Sequence, residues 1–206
     1  MSREQKIGVL GGSFNPIHTG HMILAQSALE RYELDRVLFV PCASPPHKDP
    51  ARLAPGRVRM EMIEAVLESD PRFESSRVEL DRGGTSYAVD TITQLTEAYP
   101  DAQLYFIIGD DSLPELHLWH RIYELLPLCT FVTFARHQQA LVPPESLQLD
   151  PPWPERLLQN MTLARRIEIS SSDIRYRIAE GMSIRYLVPD VIDMYIAEHN
   201  LYLGES

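Results

Sequence analysis

Two histidines, His18 and His21, stand three residues apart in the stretch GGSFNPIHTGH, behind two glycines and a proline. An imidazole can move a proton, ligate a metal or donate to a phosphate oxygen, and its surroundings decide which. A second cluster, ISSSDIR, runs from Ile169 to Arg175 and sets three serines in a row one helical turn before an arginine. Serine hydroxyls, helix-start N–H groups and a permanently charged planar guanidinium together suit phosphate oxygens.

Other chemistries fit the first stretch less well. A dinucleotide fingerprint needs GxGxxG, and Gly11, Gly12 and Gly20 miss that spacing. A P-loop needs a Lys that is absent here, and a helical zinc site prefers HExxH, whereas this chain reads HTGH. The plainer alternative is a glycine turn with two half-buried histidines. The elements around the stretch argue against it.

Lys6 to Leu10 reads as a short buried strand, and Thr19 to Tyr32 as an amphipathic helix with Met22, Ile23, Ala25, Gln26 and Leu29 on one stripe. Arg36 to Pro41 reads as a second buried strand. Strand, helix, strand is a βαβ unit and implies a parallel sheet. The histidine stretch is then the first strand-to-helix loop, where free N–H groups and the helix dipole favour an anion. Spaced i, i+3, His18 and His21 share one side of the helix start. Gly11 and Gly12 admit close approach of the backbone.

Further along, the pattern predicts helices over Pro55 to Glu68, Tyr87 to Tyr99, Leu116 to Leu125, Ser171 to Glu180 and Pro189 to His199. Strands are expected within Arg72 to Leu80 and over Gln103 to Ile108, Cys129 to Phe134 and Ile167 to Ile169. His137 to Glu155, with five prolines, reads as a surface loop. The fold class expected is α/β, a Rossmann-like doubly wound parallel sheet, with ligand beyond the C-terminal strand ends. One domain over 1–206 is expected, its C-terminal helical part beginning near residue 170.

Composition narrows the partners. The 206 residues carry a formal net charge of −10, so the chain lacks the basic footprint needed to grip a nucleic-acid backbone. No apolar run is long enough to span a bilayer, so neither a membrane nor a nucleic acid is an expected partner. Two cysteines, Cys42 and Cys129, fit no CxxC pattern and read as buried thiols in a reducing compartment, which makes a cytoplasmic location the expectation.

The two motifs together resemble the signatures of the HxGH nucleotidyltransferases related to the HIGH-type class I synthetases. Over nearly its full length the chain is similar to one branch of these, the bacterial nicotinate mononucleotide adenylyltransferases. The matching segments are PPHK (Pro45 to Lys48), RGGTSYAVDTI (Arg82 to Ile92), FIIGDDSL (Phe106 to Leu113), LWHRI (Leu118 to Ile122) and YLVPDVIDMYI (Tyr186 to Ile196).

The resemblance implies transfer of the adenylyl group of ATP to nicotinate mononucleotide, with pyrophosphate released and Mg²⁺ accompanying ATP. It also implies roles. His18, His21 and Arg175 would be catalytic. Gly11, Gly12, Ser13, Phe14, Gly109, Asp111, Ser171 and Ser172 would join them in holding ATP. Lys48, Thr85, Tyr87, Trp119 and His120 would bind the acceptor, with Trp119 stacking on the pyridine ring. No resident metal site is expected, and a homo-oligomer is compatible with the pattern.

Two departures stand out. The family usually has a carboxylate where this chain has Asn15, and Thr where it has Ser172. Arg136, after a core strand, is a further candidate near the adenine. Alternatives within reach are the nicotinamide form or another phosphorylated acceptor, or a nucleotide sensor that no longer catalyses.

Overall fold

The computed structural model describes residues 4–46, 53–135, 143–163 and 167–204. Six parallel strands form one sheet: β1 (Gln5–Gly12), β2 (Arg36–Pro41), β3 (Phe73–Ser75), β4 (Ala102–Gly109), β5 (Thr130–Ala135) and β6 (Met161–Leu163). Their spatial order is β3-β2-β1-β4-β5-β6. The order reverses between β1 and β4, so a crevice opens beyond the carboxyl ends of those two strands. This is the doubly wound, Rossmann-like α/β arrangement expected from the βαβ pattern.

Helices cover both faces: α1 (Thr19–Arg31), α2 (Gly56–Leu67), α3 (Val78–Arg82), α4 (Ala88–Ala98), α5 (Ile122–Leu125), α6 (Trp153–Gln159), α7 (Ser171–Ala179) and α8 (Asp190–Glu198). The central strands are apolar on both sides, as strands of a covered parallel sheet must be. Ile7 and Val9 point into a core built with Val89, Ile92 and Leu95 of α4. Leu10 points into the opposite core, with Ala25, Ala28 and Leu29 of α1 and Met62 and Ile63 of α2. Ile174, Ile192 and Ile196 of the C-terminal helices join that second core, fixing α7 beside the end of β1.

Several helix ends fall where the sequence pattern puts them, the expected end residues of α2, α4 and α8 proving to be caps. Tyr87 and Tyr99 flank α4, Pro55 and Glu68 flank α2, and Pro189 and His199 flank α8. Ser170 caps α7, its hydroxyl accepting from the Asp173 N–H at 3.1 Å.

Four expectations change. The stretch Arg72 to Leu80 pairs only over Phe73–Ser75 and then turns into α3, because β3 is a short edge strand whose partner residues are Val37, Leu38 and Phe39. The sixth strand is Met161–Leu163 rather than Ile167–Ile169; the Tyr32 hydroxyl anchors it by donating to the Asn160 carbonyl at 2.7 Å. Pro143 to Glu155 is not all loop, since it holds a 3-10 turn (Pro144–Ser146) and the start of α6. The segment leading to Leu125 is broken: a 3-10 helix spans Asp110–Leu118, Arg121 takes a left-handed φ of 53°, and only then does α5 begin.

Cys42 is buried, and burial pushes the Cys129 thiol up to about 12. No helix among the described residues is long and apolar enough to cross a membrane.

Candidate active site

A cavity of about 960 Å³ occupies the crevice beyond the ends of β1 and β4. That lies at the upper end of the roughly 300–1,000 Å³ common for small-molecule pockets. Its walls include Gly11, Gly12, Ser13, His18, Gly20 and His21 from the first motif, and Ser170, Ser171, Ser172 and Arg175 from the second. Two helix N-termini, those of α1 and α7, therefore open on one space. The first turn of α1 contains no acidic residue, so nothing there opposes an anion.

His18 is the cap residue of α1, with extended φ and ψ of −147° and 168°, and is buried. Its ring stacks on His21 with centroids 3.7 Å apart and planes 23° apart. The His18 backbone N–H donates to Nδ1 of His21 at 3.2 Å. An Nδ1 that accepts leaves the ring proton on Nε2, which makes His21 Nε2–H a donor. Gly20 is what permits this packing: a Cβ there would stand 3.0 Å from His18 Nδ1.

Phe14 lies beneath the cavity rather than in its wall. It is 1 % exposed, has φ of 45°, and meets His21 edge-on at 4.8 Å and Phe39 at 5.8 Å. Its side chain thus supports the His21 ring from below.

Backbone carbonyls of the first motif hold the second motif in place. Arg175 Nη1 donates to the Asn15 carbonyl at 2.8 Å, and the Ser171 hydroxyl donates to the Pro16 carbonyl at 2.9 Å. Asn15 itself is 1 % exposed, and its Oδ1 accepts from the Ala54 N–H and from the Tyr202 hydroxyl, each at 3.0 Å. Both of those partners ask only for an acceptor, which an amide supplies as well as a carboxylate. That accounts for Asn15 in place of the usual acid.

The opposite end of the cavity is walled by Gly109, Asp111, Ser112, Trp119, Ser86 and Thr91. Trp119 occupies the break between the 3-10 helix and α5, half-buried, with its ring edge-to-face with Phe106 at 6.1 Å. Asp111 is exposed at the rim. Thr85 follows Gly83 and Gly84, whose φ values of 67° and 69° explain the glycine pair, and bridges to Ser44. His120 stacks on Tyr87 at 4.2 Å. Thr85, Tyr87 and His120 stand next to this end, outside the residues that wall it. Lys48 and Arg136 lie outside the described residues.

Two residues of this region carry no sequence signal. Glu79 lines the cavity, is only 6 % exposed, and accepts from the Thr91 hydroxyl at 2.6 Å. Burial raises its pKa above the usual carboxylate value, against the pull of Ser86, Thr91, Arg82 and Arg59. Arg59, 1 % exposed, donates Nε to the Ala54 carbonyl, Nη1 to that of Ser13 and Nη2 to that of Cys42.

Residues 9–177 match the cytidylyltransferase-like family model, a span that begins in β1 and ends in α7 and so includes both motifs. A protein of Trichlorobacter lovleyi is 39% identical over 96% of this chain and 99% of its own length. One of Lactiplantibacillus plantarum is 40% identical over 97% and 89%. Both bear the name probable nicotinate-nucleotide adenylyltransferase. The chain belongs to that family. The nicotinic acid mononucleotide adenylyltransferase of Plasmodium falciparum, solved in complex with NaAD, shares the fold at a TM-score of 0.72 and 20% identity, covering 96% of this chain and 97% of that one.

Within the family frame, this chain brings His18, His21, Ser171, Ser172, Arg175, Trp119 and Asp111 to one cavity.

Proposed function

We propose that this chain joins ATP to nicotinate mononucleotide, giving nicotinate adenine dinucleotide and pyrophosphate in NAD biosynthesis. The observation that carries the reading is the convergence of the His18–His21 stack and Arg175 on one cavity. It is supported by membership of the nicotinate-nucleotide adenylyltransferase family and by the Trp119 wall at the far end.

The acceptor's 5′-phosphate attacks the α-phosphorus of ATP in line, and the bond to the β-phosphate oxygen breaks. A phosphate is already ionised, so no strong base and no covalent intermediate are needed. Catalysis is positioning plus charge stabilisation. His21, donating through Nε2, and His18 meet the charge that grows on the α-phosphate and bridging oxygen. Arg175, with the Ser172 hydroxyl and the N-terminus of α7, holds the departing pyrophosphate. The donors at that end are imidazole, hydroxyl, guanidinium and backbone N–H, which suit phosphate oxygens rather than a hard cation. Mg²⁺ would therefore accompany ATP rather than sit on the protein, and would supply charge shielding for the phosphates.

Thr85 and the Trp119 segment favour an acceptor bearing a ring carboxylate, Trp119 by stacking and Thr85 by its hydroxyl and N–H. The test is an isotope one. With ATP labelled at the α-phosphorus, Mg²⁺ and nicotinate mononucleotide, the label is expected in the dinucleotide and none in pyrophosphate. Tight ATP binding with no label transferred to any pyridine mononucleotide would support a sensor and contradict the reading.

A further inference from the structure

Arg59 sits on α2, the helix behind the cavity, and the sequence gives no reason to separate it from any arginine on an amphipathic helix. Its guanidinium is nevertheless among the most buried polar groups of the protein, 1 % exposed. A buried charge is tolerated when its donors are fully engaged, and a planar fork can engage several acceptors at fixed angles. Here the three contacts come from three separate segments: the Ala54 carbonyl at 2.9 Å, that of Ser13 at 2.9 Å and that of Cys42 at 2.7 Å.

Two of those segments, at Ser13 and Cys42, line the cavity. Ser13 belongs to the loop that presents His18 and His21. Cys42 begins the neighbouring wall, its N–H donating to the Gly12 carbonyl at 2.9 Å, and the chain runs on through Ala43 and Ser44. That wall is bolted to the acceptor-side turn: the Ala43 N–H donates to the Ser86 hydroxyl at 2.9 Å, and the Ser86 N–H donates to the Ser44 carbonyl at 2.8 Å. The guanidinium therefore adds a side-chain tie between Ser13 and Cys42 beside the backbone bond from Cys42 to Gly12, on the path that leads to Ser86.

We infer that Arg59 is a positioning residue that fixes the spacing between the ATP phosphate loop and the acceptor-binding turn. The inference rests on the adenylyl-transfer reading for its kinetic consequence, though not for its structural one. Each half of the site can bind its ligand without the clamp. What the clamp supplies is the distance and angle between the attacking oxygen and the α-phosphorus, where misplacement by about 1 Å costs on the order of a hundredfold in rate. A lysine keeps the charge but offers one ammonium on a flexible stem, which cannot span three carbonyls.

The test uses Arg59→Lys and Arg59→Met in the full chain. The expected result is a fall in kcat of at least about tenfold in both, with the Kd of a non-hydrolysable ATP analogue, measured by calorimetry, moving by less than about threefold. Native-state hydrogen exchange is expected to speed up in 12–15, 42–46 and 84–87 together. Wild-type kcat in folded Arg59→Met overturns the inference. So does recovery of kcat in Arg59→Lys, which would mean that charge alone matters, and so does exchange that is unchanged in those segments.

If neither variant folds, Ser86→Ala removes the Ala43 contact at the other end of the path, with the Ser86 N–H still on Ser44, and is read the same way. Lost turnover with retained analogue binding supports the clamp, and unaltered kcat overturns it. Wild-type protein that releases no pyrophosphate with any acceptor contradicts the reaction reading, and the exchange measurement still decides the clamp.

Discussion

Arg175 Nη1 donates to the carbonyl oxygen of Asn15 at 2.8 Å, tying a helix near the end of the chain to the loop that carries the histidines. One arm of the guanidinium is thus spent on Asn15, Nη2 reaches the Ser172 hydroxyl at 3.5 Å, and the residue lines the cavity. Arg175→Lys keeps the charge and forfeits the division of labour, because an ammonium cannot brace itself on Asn15 and grip phosphate in two fixed directions. Steady-state kinetics should give a loss in kcat/KM for ATP of about 10–100-fold, equivalent to the ~1.5–3 kcal/mol of a hydrogen bond to a charged group. A lysine variant with wild-type kcat/KM would show that only charge is needed there.

Gly20→Ala separates stability from activity. Alanine favours a helix over glycine by about 1 kcal/mol, but its Cβ would stand 3.0 Å from His18 Nδ1. The expected outcome is an unchanged or slightly raised Tm together with a fall in kcat of at least about tenfold, as the stacked imidazoles shift. Equal loss of both would point to a helix that fails to form.

Asn15 is a structural hub, its Oδ1 accepting from Ala54 and Tyr202. Asn15→Ala removes the acceptor of the part-buried Ala54 N–H and of the Tyr202 hydroxyl together and should cost about 2–4 kcal/mol by urea unfolding. Tyr202→Phe removes one donor and leaves Asn15 its other partner, so about 1 kcal/mol is expected. Equal costs for the two substitutions would contradict the hub.

Glu79 gives the stability a pH dependence of definite sign. Its pKa is raised in the folded state, chiefly by burial, so the unfolded chain gives up that proton at lower pH than the folded one. Its contribution is fully present below the ordinary carboxylate value and declines as pH rises toward the folded pKa. Glu79→Gln removes this term and still offers an acceptor to Thr91. The Tm of the variant relative to wild type should be more favourable at pH 8 than at pH 4, and a difference that is flat or reversed counts against the burial argument.

What the sequence disclosed and what it hid follow one physical line. Strand and helix periodicities are local, and β1, α1, β2, β4 and β5 emerge from them with caps at the expected ends. The two phosphate motifs announce themselves because glycine, proline and serine clusters are rare in such a spacing. Short edge strands are different: three residues of β6 pair because Tyr32, far away in sequence, holds Asn160, and no pattern in MTL records that. Arg59 is invisible for the same reason, since its burial depends on three carbonyls brought together by the sheet. Trp119 reaches the cavity because the chain breaks at Arg121, which helical spacing alone had smoothed over.

The central claim is adenylyl transfer to a pyridine mononucleotide at the histidine stack. The most direct measurement is pyrophosphate release from ATP and Mg²⁺, with nicotinate and nicotinamide mononucleotides side by side and His18→Ala as the control. The account predicts release that favours the nicotinate form and falls by at least about a hundredfold in the variant, as for loss of a principal transition-state donor. Wild-type release surviving in folded His18→Ala, or no release with either acceptor, would contradict it.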